Sequence, residues 1–460
     1  MVRNRGVAAL GTHSSSRLKL LACFVAVAAL LPMSAVSAAV PTRDWTPEEL
    51  VTSYGDDNST WVRPEYLVGS AADGTAVAIW EHKQDTGKTI ELSRRPTGGS
   101  WTTPVVVASV PKSTWLGEMV VDAAGDVTFT MQRVRVAVDT YETFVQTVSA
   151  NGDIGQRHLS PGTYLVGNGR GDVMAISNNQ VQTSYIFRPA GGQWSDPANG
   201  PSPTGLWTGG RPQLNMDSDG KVQWVGVFIR EPTSQRKDQI GLTTWSPSTK
   251  VWSKLQFVTG IGPGLENLYA AGNNSGDLVV GWTEVYDDQE GYLDEAVKSM
   301  FIPNGAATPR PIKTWAHQDN CWQRAQMIGV GIDAASNASV TWKQCETDGS
   351  ANSVINSARR LSAVGSWSAP ETVADGTRFF EGHYEVNGHG TAMLLYRQVP
   401  DFELVTARRS PDGQFGVPTV LTPPGGQLSN RTVMDLSPTS TATILYSYYK
   451  QHPVYSRTFE

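Results

Sequence analysis

The chain has 460 residues, 17% of them charged, with a formal net charge of −6. It holds 45 Gly, 27 Pro, 15 Trp and only 3 Cys. So much aromatic area to bury argues against disorder, and the Gly residues lack the three-residue period of collagen while the charge content is too low for a coiled coil. An acidic balance also disfavours nucleic acid, which selects basic surfaces.

Arg3, Arg5, Arg17 and Lys19 precede an apolar run at 20–31, and no acidic residue occurs before Asp44. Small residues follow, with Val36 and Ala38 placed for signal-peptidase cleavage. This order predicts a secretory signal peptide over 1–38 and an exported domain over 39–460. Nothing later approaches the roughly 20 apolar residues of a membrane helix. Cys321 and Cys345 remain after cleavage, and in an exported chain they are expected to form one disulfide, with two buried free thiols as the alternative.

From residue 74 onward a small turn followed by an alternating apolar run recurs. It reads Asp73-Gly74-Thr75-Ala76-Val77-Ala78-Ile79-Trp80 in the first copy, with further copies anchored at Gly125, Gly171, Gly220, Gly276, Ser336, Gly390 and Ser440. The spacing averages about 52 residues, a period that signals a repeat architecture. A second element, Arg95-Pro96-Thr97-Gly98-Gly99-Ser100-Trp101-Thr102-Thr103-Pro104, has counterparts around Trp194 and Trp367 and weaker ones at Trp252 and Phe415. The runs between turns alternate with period two and read as strands.

Four short strands per unit, repeated eight times, predict an all-β fold, a β-propeller of about eight four-stranded blades. Seven is the alternative if the short unit near Gly171 is not a full blade. The last unit has room for three strands, and residues 44–51 carry a fourth-strand pattern. The N-terminal strand is therefore expected to join the C-terminal blade and close the ring, which removes an exposed edge.

The Gly-Gly-x-Trp-Ser/Thr-x-Pro turns resemble degenerate Asp-box (BNR-type) repeats, and the chain is similar to secreted actinobacterial β-propeller proteins of the sialidase-like kind. Ser410-Pro411-Asp412-Gly413-Gln414-Phe415 comes nearest to an Asp box, one residue short. The resemblance implies that these turns are structural and lie away from the active face. It also implies a sialidase site with three Arg residues, a Tyr–Glu nucleophile pair and an Asp acid/base. Val62-Arg63-Pro64 matches the Arg-Ile-Pro motif of that family only in part, and no motif assigns the Tyr, Glu or Asp.

The interblade loops carry aromatic and charged residues together. Trp61, Arg63 and Glu65 form the first group, followed by Trp115 with Glu118, Trp207 with Arg211, Trp322 with Arg324, Glu381 with His383, and Arg431. Trp faces stack on sugar rings, while Arg and Glu bind hydroxyls or carboxylates through directed hydrogen bonds. Arg63, Arg211, Arg324 and Arg431 come from different blades and are candidates to meet on one anion. The packing alternative is that the Trp residues fill gaps between blades and that neighbours such as Arg63–Glu65 are rim ion pairs. An acidic loop at 287–295 lacks the alternating ligands of an EF-hand. The His residues form no metal cluster, and no Gly-x-Ser-x-Gly elbow, P-loop or dinucleotide fingerprint occurs.

The preferred reading is a secreted, non-catalytic binding propeller, without cofactor or metal, acting as a monomer on an extracellular glycan or protein. The alternative is a sialidase-like glycoside hydrolase or lyase, with carboxylates drawn from Glu65, Glu118, Glu266 and Glu381.

Overall fold

The computed structural model describes residues 44–52, 65–135, 140–177, 183–201, 207–229, 237–287, 293–305, 311–318, 324–346, 352–400, 402–423, 428–448 and 453–460. The expected signal segment, Trp61, Arg63, Cys321, Trp322 and most of the acidic loop fall outside these residues. Among the described residues there are strands and no helix.

Eight antiparallel sheets form the blades. Their innermost strands are Tyr66–Ser70, Thr114–Val121, Tyr164–Gly167, Trp207–Met216, Gly264–Gly272, Gln326–Ile332, the second half of Glu371–Val386, and Leu428–Leu436. Each packs against the next, and the last packs against the first, so the ring closes. Blades are numbered 1 to 8 in that order. Blade 3, the short unit, is complete: its strands are Tyr164–Gly167, Val173–Ile176, Ser184–Arg188 and Ala198–Asn199. Eight blades, not seven, is the outcome.

The chain ends close the ring as expected. Glu49–Thr52 pairs antiparallel with Val454–Phe459, with Glu49 opposite Ser456 and Leu50 opposite Tyr455. Trp45 bridges to Phe459, and their rings meet edge to face at 5.5 Å. Glu48 accepts hydrogen bonds from the Tyr446 and Tyr448 hydroxyls at 2.6 and 2.8 Å, fixing the incoming segment to blade 8.

The second strand of each blade is covered by its neighbours; in blades 1 and 5 it reads as a continuous apolar run, while in blades 2 and 6 buried Thr and Ser residues alternate with the apolar ones. Val77, Ala78, Ile79 and Trp80 are all fully buried, as are Val279, Val280 and Trp282. The apolar clusters accordingly span seams: one joins blades 1 and 2, another blades 7 and 8, and a third ties blade 8 to blade 1 through Val51, Trp80 and Leu445.

All eight anchor residues have positive φ, from 64° at Ser336 to 93° at Gly171. The geometry is forced by a tight turn in which the anchor N–H bonds back three residues, as Gly125 does to the Asp122 carbonyl at 3.0 Å. In six blades an Asp or Asn at the turn start caps the loop: Asp122 Oδ1 accepts from the Ala124 and Asp126 N–H groups, and Asn273 and Asn387 do the same. Gly is preferred at such anchors because it alone tolerates left-handed φ without cost. The Trp-bearing turns are equally repetitive. The hydroxyls of Thr102, Ser195, Ser253 and Ser368 each accept the N–H of a residue on the preceding strand.

Candidate functional site

The innermost strands start on the face of the interblade loops. Six of them are interrupted there by a β-bulge: between Leu116 and Met119, Gly209 and Gln213, Glu266 and Tyr269, Met327 and Gly329, Phe380 and Gly382, and Leu428 and Thr432. A bulge leaves its extra residue outside the ladder and re-aims the side chain. Glu118, Arg211, Asn267, Glu381 and Arg431 occupy these positions, and Asn267 and Glu381 are held at φ of 48° and 42°. Non-glycine residues in that region carry strain that tends to collect at functional sites.

Most of the charge raised by the bulges is consumed within the ring. Arg431 of blade 8 pairs with Glu65. Arg211 of blade 4 reaches across to Glu118 of blade 2 at 2.6 Å. Arg324 lies 3.6 Å from Glu266 and 3.5 Å from Glu295, and Arg397 holds Glu381 at 2.7 Å. Arg211, Arg324 and Arg431 therefore serve separate carboxylates, and Glu65 is met by Arg431 from the far end of the chain. Trp115 is half exposed, with the Lys88 ammonium 5.8 Å from its ring centre. Trp207 opens the innermost strand of blade 4, opposite Ile229.

Several acids also act as latches between blades. Glu81 accepts the Leu116 N–H at 2.5 Å, Glu118 the Leu165 N–H at 2.8 Å, and Asp238 the Leu265 N–H at 2.9 Å. Glu295 does the same for Ala325. In each case the donor is near the start of the next innermost strand. Burial pushes the Glu118 carboxyl above its ordinary pKa, and Arg211 and the Leu165 N–H oppose that shift.

One region differs. A cleft of about 370 Å³ opens where blades 5, 6 and 7 meet. Its polar wall is Tyr269 from blade 5, Gln326 and Lys343 from blade 6, and Glu381, His383 and Tyr396 from blade 7. Tyr396 is only 2% exposed, yet its hydroxyl has no hydrogen-bond partner among the described residues, and neither has that of Tyr269 or the Lys343 ammonium. Burial raises the pKa of both tyrosines. It lowers that of Lys343, against the opposing pull of Glu295. His383 is lowered by burial as well, offset in part by Glu381 and by a hydrogen bond to the Thr432 main chain. Gln326 donates to Asn267 at 3.1 Å. At the rim, Phe380 and Phe402 are 44% and 41% exposed and stack at 6.3 Å.

Of the residues singled out in the sequence, Glu381 and His383 reach this cleft. Tyr269, Gln326 and Lys343 were missed, and the adjacent Glu295 was noticed only as the end of the acidic loop. Lys343 left one signal, a cation in the second strand directly after the fully buried Trp342. A second cleft, of about 350 Å³, lies among the turns of the opposite face beside Trp367. There Arg359 is already spent on the carbonyls of Pro411 and Gly413. Among the described residues no group of three or more His, Cys, Asp or Glu could hold a metal ion, and no helix is long and apolar enough to cross a membrane.

No family model matches the chain, and no curated protein matches it. Solved structures do resemble it at low identity. Prolyl oligopeptidase B from Galerina marginata matches with a TM-score of 0.44 and 8% identity, over 84% of this chain and 55% of that one. This chain thus spans about half the length of that enzyme. Polysaccharide lyase Uly1 matches with a TM-score of 0.44 and 9% identity, covering 89% and 92% of the two chains. NanB sialidase from Streptococcus pneumoniae, as a K499G mutant, matches with a TM-score of 0.35 and 12% identity over 90% and 71%. The ring itself rests on the strand pairing described above.

Proposed function

We propose that the protein is a secreted, non-catalytic propeller that recognises an extracellular glycan in the cleft between blades 5, 6 and 7. The observation that carries this reading is the cleft itself, where the Tyr269 and Tyr396 hydroxyls and the Lys343 ammonium line the wall without a hydrogen bond to a described residue, beside the exposed Phe380–Phe402 pair. A ligand's hydroxyls would bond these groups in place of water while a sugar ring covers the aromatic rim. The four acids nominated for catalysis each contact an Arg, so none is left as an unengaged acid or base. A glycan array followed by calorimetry on the wild type and Phe380→Ala tests this. Binding that Phe380→Ala weakens at least about tenfold supports it, and wild type that retains no glycan overturns it.

A second reading, a sialidase-like hydrolase or lyase, is favoured by the neighbouring groups Glu295 and Lys343, whose pKa values are moved in opposite senses. Perturbed titratable groups concentrate at functional sites. That reading requires turnover of a glycan substrate, abolished in His383→Ala or Lys343→Gln.

Export and the Cys321–Cys345 bridge belong to the same proposal. Cys345 is buried at the end of its strand, and we assign Cys321 as its disulfide partner. Mass spectrometry of culture supernatant checks both: a chain starting at Ala39 with one intact bridge is expected, and two alkylatable thiols without reduction would refute the bridge.

A further inference from the structure

The cleft on the opposite face, among the Trp-bearing turns, has chemistry of its own. In blades 1, 3 and 4 the ring of that turn is closed off. Trp101 donates its Nε1–H to Ser456 Oγ at 2.8 Å, the Arg188 guanidinium covers Trp194 at 5.4 Å, and Trp252 packs edge to face on Tyr185 at 5.9 Å. In blade 6 the ring stays open on one side. Trp367 meets Trp315 edge to face at 5.2 Å, and it also lines a cleft of about 350 Å³, the size of a small-ligand pocket. Leu361 and Val364 make up the rest of the apolar lining, and Glu371, Asp412 and Gln414 supply polar ends.

These polar ends are uncommitted acceptors. Neither the Glu371 nor the Asp412 carboxylate receives a hydrogen bond from a described residue. Against Glu371 lies Arg409, only 2% exposed, with Nη1 at 3.8 Å from the carboxylate, beyond hydrogen-bond reach. Arg409 donates from Nη2 to the Tyr384 hydroxyl at 3.1 Å and sits over the Phe415 ring, while its Nε and Nη1 are buried without a hydrogen-bond partner. A guanidinium that faces a carboxylate without bonding it leaves both carboxylate oxygens to a donor from outside.

Charge then separates the ligand classes. Burial lowers the pKa of Arg359, Arg409 adds to the fall, and Glu371 and Asp412 oppose it, so two cations and two carboxylates surround the cleft. A cationic ligand meets Arg359 and Arg409, and an anionic one meets Glu371 and Asp412; each loses by like-charge contact. A neutral ligand with several O–H donors and one apolar face meets neither penalty. Its hydroxyls bond the carboxylates, and its C–H face lies on Trp367 and the aliphatic side chains beside it.

We propose that this cleft is a second binding site, for a neutral saccharide, with Trp367 under the sugar ring and Glu371 and Asp412 accepting from its hydroxyls. The site is built from residues that the cleft of blades 5, 6 and 7 does not use, so it stands or falls apart from the reading given for that cleft.

The test is calorimetry on the full chain with three neutral probes, cellohexaose, maltohexaose and mannohexaose, and with hexagalacturonate and hexalysine as charged counterparts. Wild type is expected to bind at least one neutral probe more tightly than either charged one. Val364→Arg alters a residue that is 67% exposed; it should block the cleft and abolish that binding with an unchanged urea midpoint. Trp367→Ala should weaken it by about tenfold or more, and Asp412→Ala by roughly tenfold, as loss of a charged hydrogen bond does. Phe380→Ala should leave it unchanged. A wild type that binds no neutral probe overturns the inference, as does neutral binding that survives in both Val364→Arg and Trp367→Ala. Neutral binding lost in Phe380→Ala and kept in Val364→Arg moves the sugar to the other cleft, which refutes the second site and leaves the first. Tighter binding of a charged probe, weakened by Trp367→Ala, overturns the neutral-ligand assignment.

Discussion

Ring closure has a single side chain at its centre. Arg95, on the third strand of blade 1, has its side chain 6% exposed and reaches both ends of the folded chain. Its Nε lies 3.2 Å from Glu49 on the N-terminal strand, and its Nη1 lies 2.5 Å from Glu460 at the C-terminus. Removing one partner of a buried ion pair costs about 3–5 kcal/mol. Both acids here are 28% exposed and each keeps a second donor, the Trp101 N–H for Glu49 and the Gly98 N–H for Glu460. The expected cost of Arg95→Leu is therefore lower, about 2–3 kcal/mol. An unfolding entropy near 2.1 cal/mol/K per residue, over roughly 400 residues, turns this into a fall in Tm of about 3 °C. Urea unfolding measures the energy. Limited chymotrypsin digestion reports whether Trp45 is released before the rest of the ring. Arg135→Leu is the control, because Arg135 is 56% exposed and 3.8 Å from Glu142; it should shift stability by less than about 0.5 kcal/mol. If Arg95→Leu matches that control and Trp45 is cut no faster, the two chain ends are not what holds blade 8 to blade 1.

Three further outcomes are expected. Gly74→Ala should destabilise by about 1–2 kcal/mol in urea titration, because φ there is +84° and a Cβ would come within 2.6 Å of Thr439 Oγ1 and 2.7 Å of Thr97 Oγ1; an unchanged midpoint would contradict the turn geometry. Arg211→Ala should cost under about 1 kcal/mol, since its side chain is 65% exposed, whereas Glu118→Ala strands the Leu165 N–H and should cost about 1–3 kcal/mol; the reverse order would refute the latch role. Glu385 and Asp435, in the innermost strands of blades 7 and 8, are both held above the ordinary carboxyl range by burial, and Glu385 further by Asp435. The folded state thus keeps protons that the unfolded state releases. Stability should fall as pH rises from about 4 through neutrality, by on the order of 1–3 kcal/mol, and Glu385→Gln should flatten the slope; stability rising over that window would sink the assignment.

The architecture was legible because each blade repeats a local physical demand. A left-handed turn residue and a doubly covered second strand, with an Asp or Asn cap in six of the blades, leave marks a few residues apart, and eight copies fix the count. The missing fourth strand of the last unit pointed to residues 44–51 for the same reason. The cleft was far less legible. Its polar wall is assembled from three blades, and the bulges at Asn267 and Glu381 rotate side chains out of the alternation that a strand pattern assumes. The ion pairs show the same gap: Arg63–Glu65 looked like neighbours in sequence, while Glu65 is met by Arg431 through ring closure. Reach across the funnel, as from Arg211 to Glu118, has no local signature at all.

The latching acids constrain how function on this face can be dissected. Glu81, Glu118, Asp238 and Glu295 each accept a backbone N–H from the following blade, so truncating any of them leaves a donor stranded as well as removing a charge. Loss of activity in an alanine variant would then report seam damage as readily as lost chemistry. A Glu-to-Gln change separates the two, because the amide oxygen still accepts the N–H while the charge is gone. Applied to Glu295, it leaves the blade 5–6 seam closed and removes only the charge. A change in ligand affinity without a change in urea midpoint is then the signature of electrostatics in the cleft, and a change in both is the signature of the seam.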